Sequence, residues 1–406
     1  MGYWIDLSDP YVTYKPKYME TVWWLIKSIS EKGLLYKGYT VQPYSPAAGS
    51  GLSSHELNQP GAYKQISDTS VIAQFKCVED DTSDKFNSFY PFYFLAWTTT
   101  PWTLPSNTAL TVGAKIEYSF IKTFNQYTKE KTTVVVASSL IEKVFGKNFF
   151  IVKHEDELET FQDSDSKIPY CVITSCKGVD IENLRYERVW DESPLPIDNP
   201  ENAFRVILGD FVTTEDGTGI VHTAPTFGSD DYKAAKSATP EVPPLQVLDS
   251  NGNKVPLVDL KGKFIDGIGM ISGKYVKNEY YEEEDIPEKS VDVEIAIRLK
   301  EKNLAFKVER YSHSYPHCWR TDKPVLYYPM ESWFIKVSEL TDKMFNLNKN
   351  INWKPSSTGE GRFGNWLKSA NDWNLSRSRF WGVPLPIWVN EENSEYKIVG
   401  SVEELI

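Results

Sequence analysis

The apolar residues of this chain recur with a helical period in two places. Near the N-terminus four of them fall at i, i+3, i+4 and i+7, namely Val22, Leu25, Ile26 and Ile29. Gly33 follows where a C-terminal cap is expected, which predicts the end of this helix. A second helix is predicted over 290–303, where Ser290 is a typical N-cap and apolar residues recur at Val291, Ile295 and Leu299.

Strand patterns dominate from about residue 66 to residue 270. Runs of β-branched and aromatic residues are separated by turn residues, and the runs are FYPFYFLAW, TTVVVAS, FFIVK, YCVIT, AFRVILGDFV and GIVHTA. Loops are predicted at YSPAAGSGLSSHE (44–56) and at the acidic run NEYYEEEDIPEK (278–289). After about residue 310 the Pro- and Trp-rich sequence predicts short helices. The chain is therefore expected to have an α+β fold, with two or three domains in its 406 residues.

Composition excludes several classes of protein. A net charge of −12 disfavours a wide nucleic-acid-binding face, because counterion release requires clustered Lys and Arg, but it is compatible with a pocket for one terminal nucleotide. No stretch approaches a membrane span in apolar length, and the N-terminus lacks the features of a signal peptide. Four scattered cysteines provide no disulfide framework. We therefore expect a cytoplasmic protein with no membrane contact.

The first stretch with candidate chemistry is WTTTPWTLPSN (97–107), which follows the apolar run FYPFYFLA. A strand end followed by a turn explains it without any function. Strand alternation, however, places Thr98 and Thr100 on one side and Thr99 on the other. The proline turn then brings Thr103 and Asn107 back toward the strand end. The result is a polar concavity without a titratable group, which suits a bound hydroxyl, carbonyl or water but not a nucleophile.

The second stretch is GTGIVHTAPTFGSDDY (217–232), which predicts a strand, a glycine loop and a helix that opens at Ser229. Asp230 and Asp231 fall in the first turn of that helix, where the helix dipole favours negative charge. They are either helix-start carboxylates beside a structural His222, or one of them points into a pocket with His222 and binds a cation.

A metal site is the weaker interpretation of the histidines. His222 with Asp230 and Asp231 provides three ligands from one loop, and His313 with His317 and Cys318 lacks a fourth ligand nearby. We therefore predict no metal and no cofactor.

The two stretches together resemble motifs of the isoleucyl-tRNA synthetase family. The valyl and leucyl relatives carry a Thr-Thr-Arg form of the first motif, so Thr100-Pro101-Trp102 favours the isoleucine branch. Further resemblance lies in PYSPAAGSGLSSHE, HSYPHCWRTDKPVLYY, SWFIKV and DWNLSRSRFWGVPLPIW, which extend it over essentially the whole chain. The loop APTFGSDDY resembles the eukaryotic cytosolic type. Thr321 stands where zinc-binding relatives have a second cysteine, which again predicts no zinc.

The resemblance implies an organisation as well as a fold. The chain lacks the His-Ile-Gly-His and Lys-Met-Ser-Lys-Ser motifs that handle ATP in the family, so it is not expected to activate amino acids. It implies a β-barrel-rich editing domain, the connective polypeptide 1 insertion, over residues 61–310. Residues 1–60 and 311–406 are then the connecting segments that lead to an absent synthetic core.

The resemblance also implies a reaction, the hydrolysis of valine misattached to the 3′ end of tRNA(Ile). Isoleucine and valine differ by one methylene, which a pocket distinguishes by only about 1–3 kcal/mol, a limit for which this family is a standard example. A second site that admits valine and excludes isoleucine solves the problem. The implied partners are the tRNA(Ile) 3′ end and the rest of the synthetase. Two alternatives stay open, a non-catalytic module that binds the tRNA 3′ end and a metal-dependent hydrolase.

The residue roles follow from the same resemblance. Asp231 binds the α-ammonium of the amino acid, and Thr98, Thr99 and Thr100 supply donors for the carbonyl, the ribose and the attacking water. Thr103 and His222 shape the side-chain pocket. The remaining residues expected to bind substrate are Trp97, Asn107 and Asp230. Asn107 supports the loop or the terminal adenosine, while Trp97 and Trp102 serve as core packing or as a stacking surface for adenine.

Overall fold

A computed structural model describes residues 4, 6–377, 382–390 and 395–406. Residues 378–381, within the predicted motif DWNLSRSRFWGVPLPIW, lie outside the described residues. The chain divides into two compact units, one formed by Met1–Thr40 with Met330–Ile406 and the other by Val41–Pro329. Both motifs with candidate chemistry belong to the second unit.

The helices are short except for two. Their bounds are α1 Pro16–Glu31, α2 Ser54–Leu57, α3 Ile141–Phe145, α4 Ser229–Ser237, α5 Val291–Glu301, α6 Thr341–Asn348, α7 Ser356–Thr358, α8 Gly364–Lys368 and α9 Val402–Leu405. Both predicted helices, α1 and α5, are confirmed. Gly33 adopts the left-handed conformation expected past the end of α1, with φ 71°. No helix in the described ranges has the length and apolar character that crossing a membrane requires.

The first unit has a small core of its own around α1. Ile26 of this helix is buried against Leu35, Ile335 and Ile398, and the flanks of the helix add further apolar contacts. The helical pattern predicts Leu25 on the same buried face, but 46% of its surface is exposed. The apolar pattern therefore identifies the helix correctly and overestimates the width of its buried stripe.

The strands follow in chain order, and all six predicted runs contain one. Their bounds are β1 Leu35–Ser45, β2 Ser50–Gly51, β3 Tyr63–Lys76, β4 Phe92–Thr98, β5 Ala109–Val112, β6 Glu117–Phe124, β7 Lys131–Ala137, β8 Phe149–Ile151, β9 Ile168–Lys177, β10 Arg205–Leu208, β11 Ile220–Thr223, β12 Val247–Leu248, β13 Lys254–Val255, β14 Ala305–Pro316, β15 Leu326–Ile335, β16 Trp373–Asn374, β17 Ile387–Val389 and β18 Tyr396–Ile398. The acidic run 278–289 is a largely exposed loop with two short 3₁₀ turns, as predicted.

Two predictions of local structure are wrong. The prediction of short helices after about residue 310 is wrong up to residue 335, because residues 305–335 carry the long strands β14 and β15, and it is confirmed further along by the short helices α6, α7, α8 and α9. Strand β14 is antiparallel to β3 along nearly its whole length, and most of its side chains remain partly exposed, so no apolar run announces it. The stretch 44–56, predicted to be a loop, contains the end of β1, the two residues of β2 and helix α2.

A ten-stranded mixed sheet forms the centre of the second unit. Its order is β10-β5-β11-β4-β7-β6-β9-β8, while β3 pairs with both β4 and β14. This confirms the α+β prediction, but the described strands show no closed barrel. Strands β4 and β11 run parallel, with Trp97 opposite Val221. Because parallel neighbours end at the same edge of a sheet, the threonine stretch and the histidine loop leave the sheet side by side.

Candidate functional site

A cavity of about 420 Å³ lies where β4 and β11 end. Its walls come from the threonine stretch, from the segment before β11 and from the loop between β11 and α4. The lining residues are Trp97, Thr98, Thr99, Thr100, Thr103, Phe211, Thr213, Asp216, Gly217, Thr218, Gly219, Ile220, Val221, His222, Ala224, Phe227, Gly228 and Asp231. The lining contains two carboxylates and no lysine or arginine, so the cavity favours a cationic group.

The threonine hydroxyls form a connected row along one wall. Thr98 Oγ1 accepts a hydrogen bond from the Thr100 backbone N–H at 3.0 Å and lies 3.3 Å from Thr100 Oγ1. Thr100 Oγ1 is in turn 3.4 Å from Thr103 Oγ1. The predicted shared side of Thr98 and Thr100 is confirmed. Strand β4 ends at Thr98, so strand alternation does not extend to Thr99, which also lines the cavity.

His222 is held in one tautomer by a buried hydrogen-bond relay. Asn107 Nδ2 donates to the Ala109 carbonyl at 2.8 Å, and since a carbonyl only accepts, this contact fixes which end of the amide is which. The same Nδ2 lies 2.8 Å from His222 Nδ1, which must therefore accept. His222 Nε2 carries the proton and donates to Thr103 Oγ1 at 3.0 Å. The Thr103 hydroxyl then donates to the Thr100 carbonyl at 2.8 Å.

Burial makes His222 a neutral wall of the cavity. It lowers the pKa of His222 to about 3, so the imidazole stays uncharged at neutral pH. With Nδ1 and Nε2 both engaged in the relay, the ring has no free nitrogen for proton transfer. His222 can shape the cavity, but it is a poor general base.

Asp231 points back over the start of α4 toward the cavity. It occupies the first turn of this helix, and its Oδ2 accepts the Ala224 backbone N–H at 2.9 Å. The carboxylate fits only because residue 228 is glycine, since a Cβ there would lie 2.5 Å from Asp231 Oδ2 and 2.6 Å from its Cγ. Burial raises the pKa of Asp231 to about 6, against the effect of the Ala224 N–H. Near pH 7.5 the group is therefore a carboxylate.

Asp231 also differs from the other lining carboxylate in its partners. Asp216 is neutralised by Lys143 at 2.9 Å and accepts the Tyr311 hydroxyl at 2.7 Å. Within the described part of the chain, no lysine or arginine forms an ion pair with Asp231. The cavity therefore presents one carboxylate that lacks a cationic partner beside a row of hydroxyl groups.

Two of the predicted site residues do not line the cavity. Asp230 is exposed and forms an ion pair with Lys233 at 3.1 Å. Asn107 is buried behind His222 and contributes through the relay. The seven other predicted residues line it, and they are Trp97, Thr98, Thr99, Thr100, Thr103, His222 and Asp231.

The structure adds residues that the sequence patterns do not single out. Phe211, Thr213 and Asp216 enter the wall from the segment before β11, where a second threonine pair in DFVTTEDGTG is the available signal. Tyr186 lies outside both motifs, and its hydroxyl donates to Asn107 Oδ1 at 2.6 Å. No local sequence pattern marks Tyr186 as the buried residue at which the relay begins.

The two tryptophans occupy different environments. Trp102 is 3% exposed and its ring meets Phe227 edge-on, with 5.0 Å between the centroids. Trp97 is half-buried, lines the cavity and makes an edge contact with Tyr311. Core packing therefore accounts for Trp102, whereas Trp97 presents an aromatic surface to the cavity.

A metal centre would require several ligands close together. Among the described residues, no three His, Cys, Asp or Glu side chains cluster in a way that could hold an ion. His313 lies 3.3 Å from Asp68, and His317 Nδ1 lies 3.0 Å from the Tyr315 carbonyl. The two histidines are therefore engaged with protein groups.

Comparison with known proteins places the chain in a family. The family model of class I tRNA synthetases (I, L, M and V) matches residues 1–406. The chain is 54% identical over 417 residues to the isoleucine–tRNA ligase of Cytophaga hutchinsonii, covering 100% of this chain and 36% of that protein. It is 52% identical over 422 residues to the enzyme of Bacteroides fragilis, with the same coverage. The chain thus spans 36% of the length of these curated relatives.

Those relatives are bacterial, so the loop form APTFGSDDY does not indicate a eukaryotic source, contrary to expectation. Among solved structures, GlLeuRS-CP1 matches with a TM-score of 0.39 and 12% identity, covering 59% of this chain and 99% of that one. A likeness at this score carries no further conclusion. The match over the whole chain and the relatives at 54% and 52% identity decide the assignment: this protein belongs to the class I tRNA synthetase family of the isoleucine, leucine, methionine and valine enzymes.

Proposed function

We propose that the cavity at the ends of β4 and β11 hydrolyses the ester of valine misattached to tRNA(Ile). The chain would act as the editing insertion of an isoleucine–tRNA ligase, with residues 61–310 as the editing domain and residues 1–60 and 311–406 as connections to the synthetic core. The observation that carries the proposal is the carboxylate of Asp231, which has no lysine or arginine partner among the described residues and lines a cavity of about 420 Å³ together with a row of threonine hydroxyls.

Asp231 is the anchor for the amino acid. A charge-assisted hydrogen bond from the α-ammonium to this carboxylate contributes roughly 1.5–3 kcal/mol. Its partly buried position strengthens the interaction, because water screens it less than at the surface. Once the ammonium is bound, the carboxylate is paired and is a poor general base, so its role is to fix the position of the ester carbonyl.

The threonine row addresses the ester itself. The Thr98 hydroxyl accepts from the Thr100 N–H, which leaves its own proton to donate to the carbonyl oxygen, the ribose hydroxyl or the attacking water. Thr100 adds its hydroxyl to the same row, and Thr99 also lines the cavity. An aminoacyl ester is already reactive, so fixing a water against it can supply most of the acceleration without a strong base.

The remaining residues shape the site and limit the size of the side chain that it accepts. Thr103 and the neutral His222 form a rigid wall that accepts the valine side chain and excludes the longer isoleucine. Asn107 acts from behind that wall by holding the His222 ring. Trp97 offers an aromatic face for the terminal adenine. The substrate is thus the tRNA(Ile) 3′ end carrying valine, the other partner is the rest of the synthetase, and the compartment is the cytoplasm.

The proposal is tested by substitution of two neighbouring aspartates, of which Asp231 lines the cavity and Asp230 is exposed and paired with Lys233. We expect Asp231→Ala to slow deacylation of Val-tRNA(Ile) at least ~100-fold, more than the binding contribution alone, because loss of the anchor also misplaces the ester. Asp230→Ala removes the same charge from the adjacent exposed position and is expected to stay within threefold of wild type, or ~0.6 kcal/mol.

The assay uses the 406-residue chain and a chimera in which it replaces the matching segment of the Cytophaga hutchinsonii enzyme, with tRNA(Ile) of that organism. Near-wild-type hydrolysis by Asp231→Ala would remove Asp231 from the mechanism. Binding of Val-tRNA(Ile) without hydrolysis by either protein would favour the alternative, a module that binds the tRNA 3′ end without cleaving.

A further inference from the structure

A second buried carboxylate lies against the threonine stretch, outside the cavity and outside both motifs. Asp292, at the start of α5, is 4% exposed, and its Oδ1 accepts the backbone N–H of Trp102 at 2.8 Å. Residues Pro101–Ser106 form a 3₁₀ helix. Since Pro101 has no N–H, the Trp102 N–H is the first donor of this helix, and such donors have no partner within a helix.

The carboxylate is kept in place by a buried network of charge. Lys277 is 5% exposed, and its Nζ lies 3.9 Å from Asp292 Oδ2 and 2.7 Å from Asp68 Oδ2 on β3. Lys277 also lies over the ring of Tyr315, 4.8 Å from its centroid. A buried charge is costly unless it is paired, so removal of one member strongly affects the others. Four separate parts of the chain thus contribute to the network that holds Asp292 Oδ1 against the Trp102 N–H, through Asp68, Lys277, Asp292 and Tyr315.

The hydrogen bond between Asp292 and Trp102 is connected to the polar wall of the cavity through the 3₁₀ helix 101–106. The helix that Asp292 holds carries Thr103, and Thr100 directly precedes it. Thr103 Oγ1 accepts the hydrogen bond from His222 Nε2, and the Thr103 hydroxyl donates to the Thr100 carbonyl. The ring of Trp102 also packs on Phe227, which lines the cavity in the loop before Asp231. A shift of Trp102 would therefore move groups from both motifs.

We propose that Asp292 is a positioning residue of the deacylation reaction, which holds the 3₁₀ helix 101–106 so that Thr100 and Thr103 keep their places in the cavity wall. This inference rests on the proposed function. It predicts a specific pattern, because the required property is a hydrogen-bond acceptor at the Trp102 N–H. Asp292→Asn retains an acceptor oxygen there, whereas Asp292→Ala removes it.

The test compares these variants with a matched change on the same helix. Glu294 also belongs to α5, but its carboxylate pairs with Lys274 at 2.6 Å, whereas that of Asp292 accepts the Trp102 N–H. We expect Asp292→Ala to lower the single-turnover rate constant for Val-tRNA(Ile) by ~10–100-fold, with KM changed less than ~3-fold. Asp292→Asn should recover to within ~5-fold of wild type, and Glu294→Ala should keep the wild-type rate constant. Thermal melting of all variants separates loss of folded protein from loss of rate.

The outcomes decide between separate claims. A wild-type rate constant in Asp292→Ala, or an equal loss in Asp292→Asn, overturns the positioning role. Should Asp292→Ala not fold, Asp292→Ser replaces it, because a side chain one bond shorter does not reach the Trp102 N–H. Wild-type protein is assayed in parallel, in the chain and in the chimera. Absence of hydrolysis there would refute the proposed function itself, whereas an active wild type with unaffected variants would refute only the role of Asp292.

Discussion

Gly228→Ala tests the placement of the Asp231 carboxylate without removing a polar group. The backbone of Gly228 has φ −124° and ψ 127°, an extended conformation that alanine adopts readily, so no backbone strain is introduced. The added Cβ would lie 2.5 Å from Asp231 Oδ2, 2.6 Å from its Cγ and 3.0 Å from its Cβ. Ordinary contacts between such atoms are about 3.5 Å, so the carboxylate must move by roughly 1 Å.

The displacement determines the size of the effect. Movement of that extent breaks the 2.9 Å hydrogen bond from the Ala224 N–H and takes the carboxylate away from the ammonium of the substrate. A 1 Å error in a positioning group costs on the order of 100-fold in rate. Loss of glycine at the N-cap costs only about 1 kcal/mol of stability, so the variant should remain folded.

The assay is a double-mutant cycle on single-turnover deacylation of Val-tRNA(Ile). If the alanine acts only through Asp231, then Gly228→Ala combined with Asp231→Ala should be no slower than Asp231→Ala alone. Additive losses would show that Gly228 acts by another route. A wild-type rate in Gly228→Ala would refute the argument that the carboxylate needs its present position.

Three further predictions concern the charge of Asp231, the hydrogen-bond relay that begins at Tyr186 and the cavity wall formed by His222. Burial raises the pKa of Asp231 to about 6, and the protonated acid below that pH no longer binds an ammonium. The kcat/KM for deacylation should therefore fall about tenfold per pH unit below pH 6, and a kcat/KM that stays constant between pH 5 and 7 would contradict this. Tyr186→Phe leaves Asn107 Oδ1 without its buried donor, so the free energy of unfolding should fall by about 1–3 kcal/mol. Denaturant titration measures this loss, and an unchanged free energy of unfolding would contradict the prediction. His222→Ala enlarges the cavity, so the valine-to-isoleucine ratio of deacylation rates should fall by ~10-fold or more; an unchanged ratio would exclude His222 from the size selection.

The parts of the site that could be predicted from sequence are those encoded by local pattern. The runs FYPFYFLAW and GIVHTA predict β4 and β11; the first motif begins in the last two residues of β4, and the second contains β11 and the loop after it. The register that sets Trp97 opposite Val221 is a tertiary property, so in the sequence only the family resemblance joins the two motifs in one site.

Other parts depend on contacts between distant residues. Asp230 and Asp231 are neighbours with the same side chain, so the sequence does not distinguish them. The direction of α4 places Asp231 in the cavity wall and Asp230 beside Lys233. The sequence places Asn107 near the substrate, but Tyr186, 79 residues away, and His222 hold it in the interior. Asp292 lies 190 residues from Trp102, so no local pattern could reveal their hydrogen bond. Strand β14 escapes prediction because its stability comes from pairing with β3 and not from an apolar run.

The central claim is that this cavity removes valine and spares isoleucine without a metal ion. The most direct test measures deacylation of Val-tRNA(Ile) and Ile-tRNA(Ile) side by side, by the chain and by the chimera, with EDTA present throughout. We predict rapid loss of valine, retention of isoleucine and no effect of the chelator. Equal rates for both substrates, hydrolysis that EDTA abolishes, or no hydrolysis by either protein would contradict this claim.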